Sequence, residues 1–264
     1  MRYFLKVDCI ETVEGILLTW VLRDGVVPKK FIVLGTNKNR TWEIKSPVIE
    51  TCRCMLKADQ ESLSSLFSVK IQTADGGFEE SDPVQPQALD KVARRLLKEI
   101  KRREQTVYKS HPFGAYDAYI LLKKQIGKPC EVCGTGKCGG LGGTAVDPSC
   151  PCCLGTGIKK PYFLYPKIDK VLAVPAKDDK LAGTVGVQRL VVEQVFRTVF
   201  PGVFREDDII VVGGEVYLIT ESSVAASVGN APAVYQVKCS QMFPDSPMYL
   251  TIIEQLKCCD VKRM

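Results

Sequence analysis

Cysteines near the middle of the chain are the residues whose type and spacing point most directly to chemistry. Cys130 and Cys133 form one C-x2-C pair, and Cys150 and Cys153 form a second pair after sixteen intervening residues. Two cysteines three positions apart in a tight turn direct both sulfurs at one point, and two such turns complete a tetrahedral four-thiolate site. We therefore predict that these four side chains bind Zn²⁺. Because four thiolates leave no coordination position open, the zinc is expected to be structural.

Two further cysteines of this region leave alternatives open. Cys138 and Cys152 could each replace one of the four ligands or remain free thiols. Other interpretations are reduced thiols without metal, iron at the same four sulfurs, and a redox dithiol formed by Cys150 and Cys153. The loop between the two pairs is too rich in glycine to form a core, so metal coordination is expected to hold this segment together.

The rest of the chain offers few candidates for catalysis. The only histidine, His111, lies in a His-Pro-Phe-Gly turn, and we interpret it as structural. Asp207 and Asp208 are adjacent carboxylates without a partner base, and we interpret them as residues of a turn and of the start of a strand. We therefore expect a protein that is not an enzyme.

Composition narrows the class of protein further. The 264 residues are 45% apolar and 25% charged, which is typical of globular protein with about two domains. The net charge of +6 is too small by itself to indicate nucleic-acid binding. There is no apolar run of about 18 residues and no apolar stretch of the signal-peptide type, so we expect no membrane partner and synthesis in the cytoplasm. The 12 cysteines therefore favour metal binding over disulfides.

Residues 1–84 carry an all-β pattern in which turn residues recur about every ten positions. The predicted strands are Tyr3–Val7, Gly15–Val21, Phe31–Leu34, Trp42–Ile44, Thr51–Leu56, Leu66–Thr73 and Phe78–Asp82. Trp20 in the second strand, Pro28 before the third and Phe67–Ile71 as the sixth resemble a fibronectin type III module. That resemblance implies a β-sandwich that serves as a spacer or adhesive unit. The family usually has a tyrosine where this chain has Phe67.

Residues 85–127 are predicted to be helical. A first amphipathic helix has an apolar face made by Leu89, Val92, Ala93, Leu96, Leu97 and Ile100. Its other face is basic and carries Lys91, Arg94, Arg95, Lys98, Lys101, Arg102 and Arg103. This face is interpreted as solvated, and contact with phosphates or with an acidic partner is the alternative. A second helix is predicted over Tyr116–Ile126.

Residues 128–160 are predicted to form the zinc-knuckle module. Cys150–Gly157 fits a C-x2-C-x-G-x-G unit and resembles the cysteine-rich repeats of DnaJ-type chaperones. Only two such units are present and the His-Pro-Asp signature of the J-domain is missing. The resemblance therefore implies a zinc site and not a chaperone activity.

Residues 161–264 return to β structure and are predicted to form a small β-barrel or twisted sheet with a C-terminal tail. Alternating residues over Gln188–Phe200 predict a strand, as does Val234–Cys239, and Gly213-Gly214 predicts a tight hairpin turn within Asp207–Ile219. The whole chain is thus expected to be mainly β, with a helical and zinc-knuckle middle segment between an N-terminal β-sandwich and a C-terminal small β-barrel.

The segment Arg205–Val212, a tight turn and Glu215–Ile219 resemble the small β-barrels of tailed-bacteriophage virion proteins. This resemblance implies a structural component of the virion in the neck or head-tail connector, with the baseplate as the alternative location. It also implies a ring-forming homo-oligomer whose partners are portal, connector, tail or baseplate proteins. A zinc protein that handles nucleic acid and a thiol–disulfide enzyme remain as alternative functions.

Overall fold

The computed structural model describes residues 3–24, 26, 28–73, 76–110, 115–134, 150–174 and 193–260, and within these ranges the chain is mainly β. The strands are β1 (Phe4–Glu11), β2 (Ile16–Leu22), β3 (Pro28–Thr36), β4 (Thr41–Ile44), β5 (Arg53–Leu56), β6 (Leu66–Thr73), β7 (Phe78–Glu80), β8 (Tyr116–Lys123), β9 (Tyr162–Leu164), β10 (Asp169–Val174), β11 (Glu193–Thr198), β12 (Ile209–Val212), β13 (Glu215–Val228) and β14 (Ala231–Gln241). The helices are α1 (Gln60–Leu63), α2 (Lys91–Ser110), α3 (Glu131–Gly134) and α4 (Pro247–Asp260), and Pro47–Thr51 forms a 3-10 helix.

The N-terminal strands form two antiparallel sheets over one core. One sheet has the order β1-β2-β5 and the other the order β4-β3-β6-β7. Side chains from both sheets meet in a single apolar cluster, in which the rings of Trp20 and Phe31 pack edge to face with centroids 5.3 Å apart. Phe67 is buried in the same cluster. The seven predicted strands are therefore confirmed, with ends that differ by a few residues.

Gly15 lies where the backbone turns from β1 into β2, and the turn leaves no room for a side chain. The Thr12 N–H donates to the Gly15 carbonyl at 2.6 Å, and a Cβ at Gly15 would lie 2.0 Å from the carbonyl oxygen of Leu56. Because the obstacle is backbone, Gly15→Ala is expected to lower the free energy of unfolding by about 1–3 kcal/mol in urea denaturation. Gly213→Asn is the control, because its φ of +59° suits asparagine and the site is open. Equal stability of the two variants would contradict this reading of the turn.

The C-terminal half contains a closed six-stranded β-barrel. Its strands follow the order β10-β11-β14-β13-β12-β8, and β8 pairs with β10 to close the ring, while β9 adds to β8 outside the ring. The prediction of a small barrel is therefore confirmed. The predicted β13 hairpin is also confirmed, because Gly213 and Gly214 form its two-residue turn with φ values of +59° and +89°.

The helix predicted over Tyr116–Ile126 is wrong. Residues 116–123 form β8, which supplies the barrel with a strand from the segment that was predicted to be helical. Ala118, Ile120 and Leu122 face the barrel interior, whereas Leu121 is buried on the outer side beneath α4. A strand that is buried on both faces is a continuous apolar run, and periodicity alone does not separate such a run from a helix. In the predicted strand Gln188–Phe200, β11 covers Glu193–Thr198, and residues 188–192 lie outside the described ranges.

The predicted amphipathic helix is present as α2, but its buried face differs from the prediction. Leu97, Lys101 and Tyr108 are buried, whereas Val92 and Leu96 are 67% and 51% exposed. The Lys101 ammonium forms an ion pair with Glu14 beneath the helix. The helix therefore buries the face that packs against the barrel strands, and part of the predicted apolar face is exposed.

Helix α4, in the segment predicted to be a tail, covers the outside of the barrel. Ile252 and Leu256 are buried against Leu121, Val211 and Val216. None of the helices in the described ranges has the length and apolar character needed to cross a membrane.

Candidate metal centre

The four predicted ligands lie in a segment that connects two paired strands. Strands β8 and β9 are antiparallel neighbours, with Lys123 opposite Tyr162, and the cysteine segment runs between them. The backbone N–H of Cys130 donates to the Gly157 carbonyl at 2.8 Å, and that of Lys159 donates to the Lys128 carbonyl at 2.8 Å. These bonds bring the second C-x2-C turn beside the first.

The structure brings all four predicted sulfurs together. The Sγ atoms of Cys130, Cys133, Cys150 and Cys153 all lie within 4.8 Å of one another. The Cys130 and Cys150 sulfurs are 3.9 Å apart, and those of Cys133 and Cys153 are 3.4 Å apart. A tetrahedral ion with metal–sulfur bonds of about 2.3 Å requires sulfur–sulfur distances of roughly 3.8 Å. The cluster therefore has the dimensions of a four-thiolate metal site.

Backbone N–H groups surround the sulfurs on the protein side. The N–H groups of Cys133 and Val132 donate to the Cys130 sulfur, those of Cys153 and Cys152 to the Cys150 sulfur, and those of Gly157 and Gly155 to the Cys153 sulfur. Gly155 and Gly157 have φ values of +76° and +73°, a conformation that favours glycine and turns these donors toward the sulfur. Such second-shell bonds orient metal ligands and stabilise them as thiolates.

The same surroundings set the thiol pKa values. Hydrogen bonds from the Cys133 and Val132 backbone lower the pKa of Cys130. Burial acts to raise the pKa of Cys150, but the backbone N–H donors outweigh it and bring the value to about 6. Burial and the neighbouring thiols raise the pKa of Cys153 to about 12. Because the pKa of Cys153 is raised, a metal ion must displace the proton of this thiol when it binds.

Cys152 and Cys138 are the two cysteines of this region outside the predicted ligand set. Cys152 is half-buried against the cluster and hydrogen-bonds with the Cys130 thiol, but it is not among the four sulfurs that converge. Cys138 lies outside the described residues. The described part of the chain therefore supports the predicted ligand set without substitution by Cys152.

The segment that leads into the candidate metal centre is attached to the N-terminal module. On the N-terminal side, the Lys124 ammonium pairs with Glu50 at 2.6 Å, and the Gln125 N–H donates to the Glu50 carbonyl at 2.7 Å. Within the centre, Lys159 pairs with Glu131 at 2.9 Å. The cluster is therefore positioned as part of the folded body.

The structure describes two of the three other candidate residues, Asp207 and Asp208. His111 lies outside the described residues. Asp207 and Asp208 directly precede β12, in agreement with their interpretation, and Asp207 adopts a left-handed φ of +68° and pairs with Lys123 at 2.7 Å. Asp208 is fully buried, which the sequence interpretation missed.

Asp208 forms a buried ion pair with Arg53 of the N-terminal sheet. Its carboxylate also accepts hydrogen bonds from the backbone N–H groups of Lys123 and Arg205, each at 2.8 Å. Burial raises the pKa of the Asp208 carboxyl, and the attraction to Arg53 opposes that rise. The only hint in the sequence was an aspartate directly before the apolar strand Ile209–Val212.

The pair is part of a polar contact between the sandwich and the barrel. The Arg53 Nε donates to the Val203 carbonyl at 2.7 Å. The Arg205 guanidinium reaches back to the carbonyl oxygens of Trp20 at 2.7 Å and Cys52 at 3.1 Å. Each half of the chain thus supplies an arginine that binds acceptors of the other half.

Three buried cysteines outside the cluster are expected to be chemically inert. Burial raises the pKa values of Cys9, Cys54 and Cys239 to about 12. Because the thiolate is the reactive form, we expect native labelling of these thiols at pH 8 to be about 10³-fold slower than in the unfolded chain. Peptide mass spectrometry after alkylation, with and without denaturant, measures the ratio. Labelling of Cys54 at similar rates in both states would contradict the expectation.

Comparison of the chain with protein-family models, curated proteins and solved structures found no match in any of the three.

Proposed function

We propose that this chain is a non-enzymatic structural protein that uses Zn²⁺ to fasten its middle segment. The observation that carries the proposal is the convergence of four cysteine sulfurs within 4.8 Å. With four thiolates bound, the ion has no coordination position for water or substrate, so it acts on folding and not on a reaction. Zinc is favoured because tetrahedral thiolate sets select zinc or iron–sulfur chemistry, and this site has two C-x2-C pairs and the compact size of a single ion.

Metal analysis of the purified, reduced protein tests this assignment. We expect one zinc per chain and a colourless solution. A red protein that contains iron would overturn the choice of metal. A native protein without any transition metal would overturn the structural role as well.

The N-terminal module is proposed to be of the fibronectin type III type. The support is its strand order, with three strands in β1-β2-β5 facing four in β4-β3-β6-β7 around the buried Trp20. Such a module would act as a spacer or an adhesive unit. A crystal structure of the chain that shows the two sheets paired in another order would reject it.

The assembly proposed for this protein is the virion of a tailed bacteriophage, in the neck or head-tail connector, with the baseplate as the next location. The support is the resemblance of residues 205–219 to virion barrels, together with polar contacts that join the barrel to the sandwich. The partners would be other virion proteins and further copies of this chain in a ring. Mass spectrometry of purified particles from the source phage tests the proposal, and consistent absence of the chain from particles would overturn it.

The nucleic-acid alternative depends on the basic face of α2. Four of its seven basic residues already have carboxylate partners, since Arg94 pairs with Glu11, Lys101 with Glu14, and both Arg102 and Arg103 with Glu99. We therefore expect little binding to random duplex DNA at about 0.15 M salt. Tight binding that weakens steeply with salt would favour the alternative.

A further inference from the structure

The outer edge of strand β13 is long, and no strand of the described residues pairs with it beyond Leu218. Strand β12 covers β13 only as far as Leu218, and Ile219 bonds to the backbone of Asp207 and Asp208. From residue 220 to residue 228 the pairing found among the described residues is with β14 alone. The other side of this segment therefore presents N–H and C=O groups that a further strand could bind.

Two other sheet edges are better protected against strand addition than this one. β7 is three residues long and carries Glu79 and Glu80, both of which oppose strand addition. β1 is longer, but Lys6 and Asp8 place charges along it, and Gln87 bonds to its end at Cys9. Residues 220–228 of β13 are TESSVAASV, with Glu221 as the single charge.

The straight part of the edge is Glu221–Val224. These four residues pair in regular register with Lys238–Tyr235 of β14, and register shifts flank them on both sides. Val224 is 52% exposed, which is unusual for a β-branched side chain in the middle of a strand. A regular stretch with an exposed valine is the part of the edge best suited to pairing.

We propose that a second copy of this chain pairs with this edge, strand to strand and antiparallel, about a two-fold axis. In an antiparallel pair related by such an axis, one residue lies opposite its own copy. With the axis at Ser222, Ser223 or Val224, Glu221 lies opposite Ser223, Ala225 or Ser227 of the second copy. Like charges therefore never face each other, and small side chains allow close approach.

The inference goes beyond the proposed function. A two-fold contact closes on a dimer, whereas a ring requires head-to-tail contacts between different surfaces. The two kinds of contact can therefore be tested separately.

The first experiment measures the mass of the zinc-loaded protein by light scattering on a sizing column. We expect twice the chain mass of 29.2 kDa for the wild type and the monomer mass for Val224→Lys, which places a charged side chain on the regular part of the edge. Val21→Lys is the matched control, because Val21 is also an exposed strand valine, and it should remain dimeric. Circular dichroism confirms that both variants are folded.

The second experiment determines the register of the strand pairing with four variants, each of which carries one added cysteine at Ser222, Ser223, Val224 or Ser227. We expect a disulfide-linked dimer under mild oxidation from one of the first three. Ser227→Cys should give none, because its two copies would be about 20 Å apart or more at 3.4 Å per residue. Equal cross-linking at residue 227 would overturn the pairing, as would a monomeric wild type or a dimer that survives Val224→Lys.

A ring that survives Val224→Lys would support the ring and reject the edge contact. A dimer that Val224→Lys dissociates, in a chain absent from particles, would support the edge contact and reject the virion.

Discussion

Cys153→Ser is expected to abolish stoichiometric metal binding and to unfold the segment around residues 130–158. Cys153 is fully buried, and its sulfur lies 3.4 Å from that of Cys133. A serine hydroxyl does not replace a thiolate as a soft ligand, so most of the roughly 10–16 kcal/mol typical of such sites is lost. The N–H donors that face the sulfurs, such as those of Gly155 and Gly157, lose their acceptors at the same time.

The measurement combines metal content with amide hydrogen exchange. Protection in residues 130–134 and 150–158 should disappear in Cys153→Ser and in wild-type protein treated with a strong chelator, while the barrel strands β12–β14 stay protected. Cys152→Ser is the matched control, because Cys152 is adjacent in sequence but outside the converging set. It should keep one metal per chain. Loss of metal from Cys152→Ser with retention in Cys153→Ser would show that the ligand set is wrong.

Asp208→Asn is expected to destabilise the protein by about 3–5 kcal/mol. The substitution keeps the size of the side chain but removes the charge opposite Arg53. It also replaces one of the two oxygens that accept, one each, from the Lys123 and Arg205 backbone N–H groups. Arg53 is 2% exposed, so its cation would remain buried without a counter-charge. The cost is that of an unpaired buried charge, and it exceeds the net value of the pair itself.

Two further variants separate that cost from a general effect of mutation. Asp207→Asn alters the neighbouring carboxylate, which is exposed and pairs with Lys123, and should change the free energy of unfolding by no more than about 0.5–1 kcal/mol. Arg53→Met combined with Asp208→Asn removes both charges and should recover about 1–3 kcal/mol relative to Asp208→Asn alone. Urea denaturation of the four proteins measures these differences. A double variant less stable than Asp208→Asn would show that the ion pair itself stabilises the contact.

These predictions concern sites that the sequence revealed to very different degrees. The four candidate ligands were predictable because the geometry of each C-x2-C turn depends on residues that are close in sequence. Gly155 and Gly157 also mark positions at which the backbone is left-handed. The seven N-terminal strands were predictable for a similar reason, since alternating apolar residues and turn residues are short-range signals. The turn at Gly213 and Gly214 was predictable for the same reason.

The failures share one cause, which is that the deciding contact lies far away in the sequence. β8 is apolar on successive positions, so whether it became a helix or a strand depended on barrel neighbours that include β12, almost ninety residues later. The face that α2 buries packs against barrel strands that lie far along the chain, among them β13 and β14. Neither partner can be read from the local pattern.

The sequence by itself determined the four converging cysteines and most of the strands, because C-x2-C turns and strand periodicity depend on residues within a few positions of each other. Only the tertiary structure decided the partner of Asp208, the closure of the barrel through β8 and the edge of β13 that no described strand covers. Arg53 and Asp208 are separated by 155 positions. Their pairing depends on how the sandwich and the barrel pack, and packing is a property of surfaces that form only after the strands have assembled.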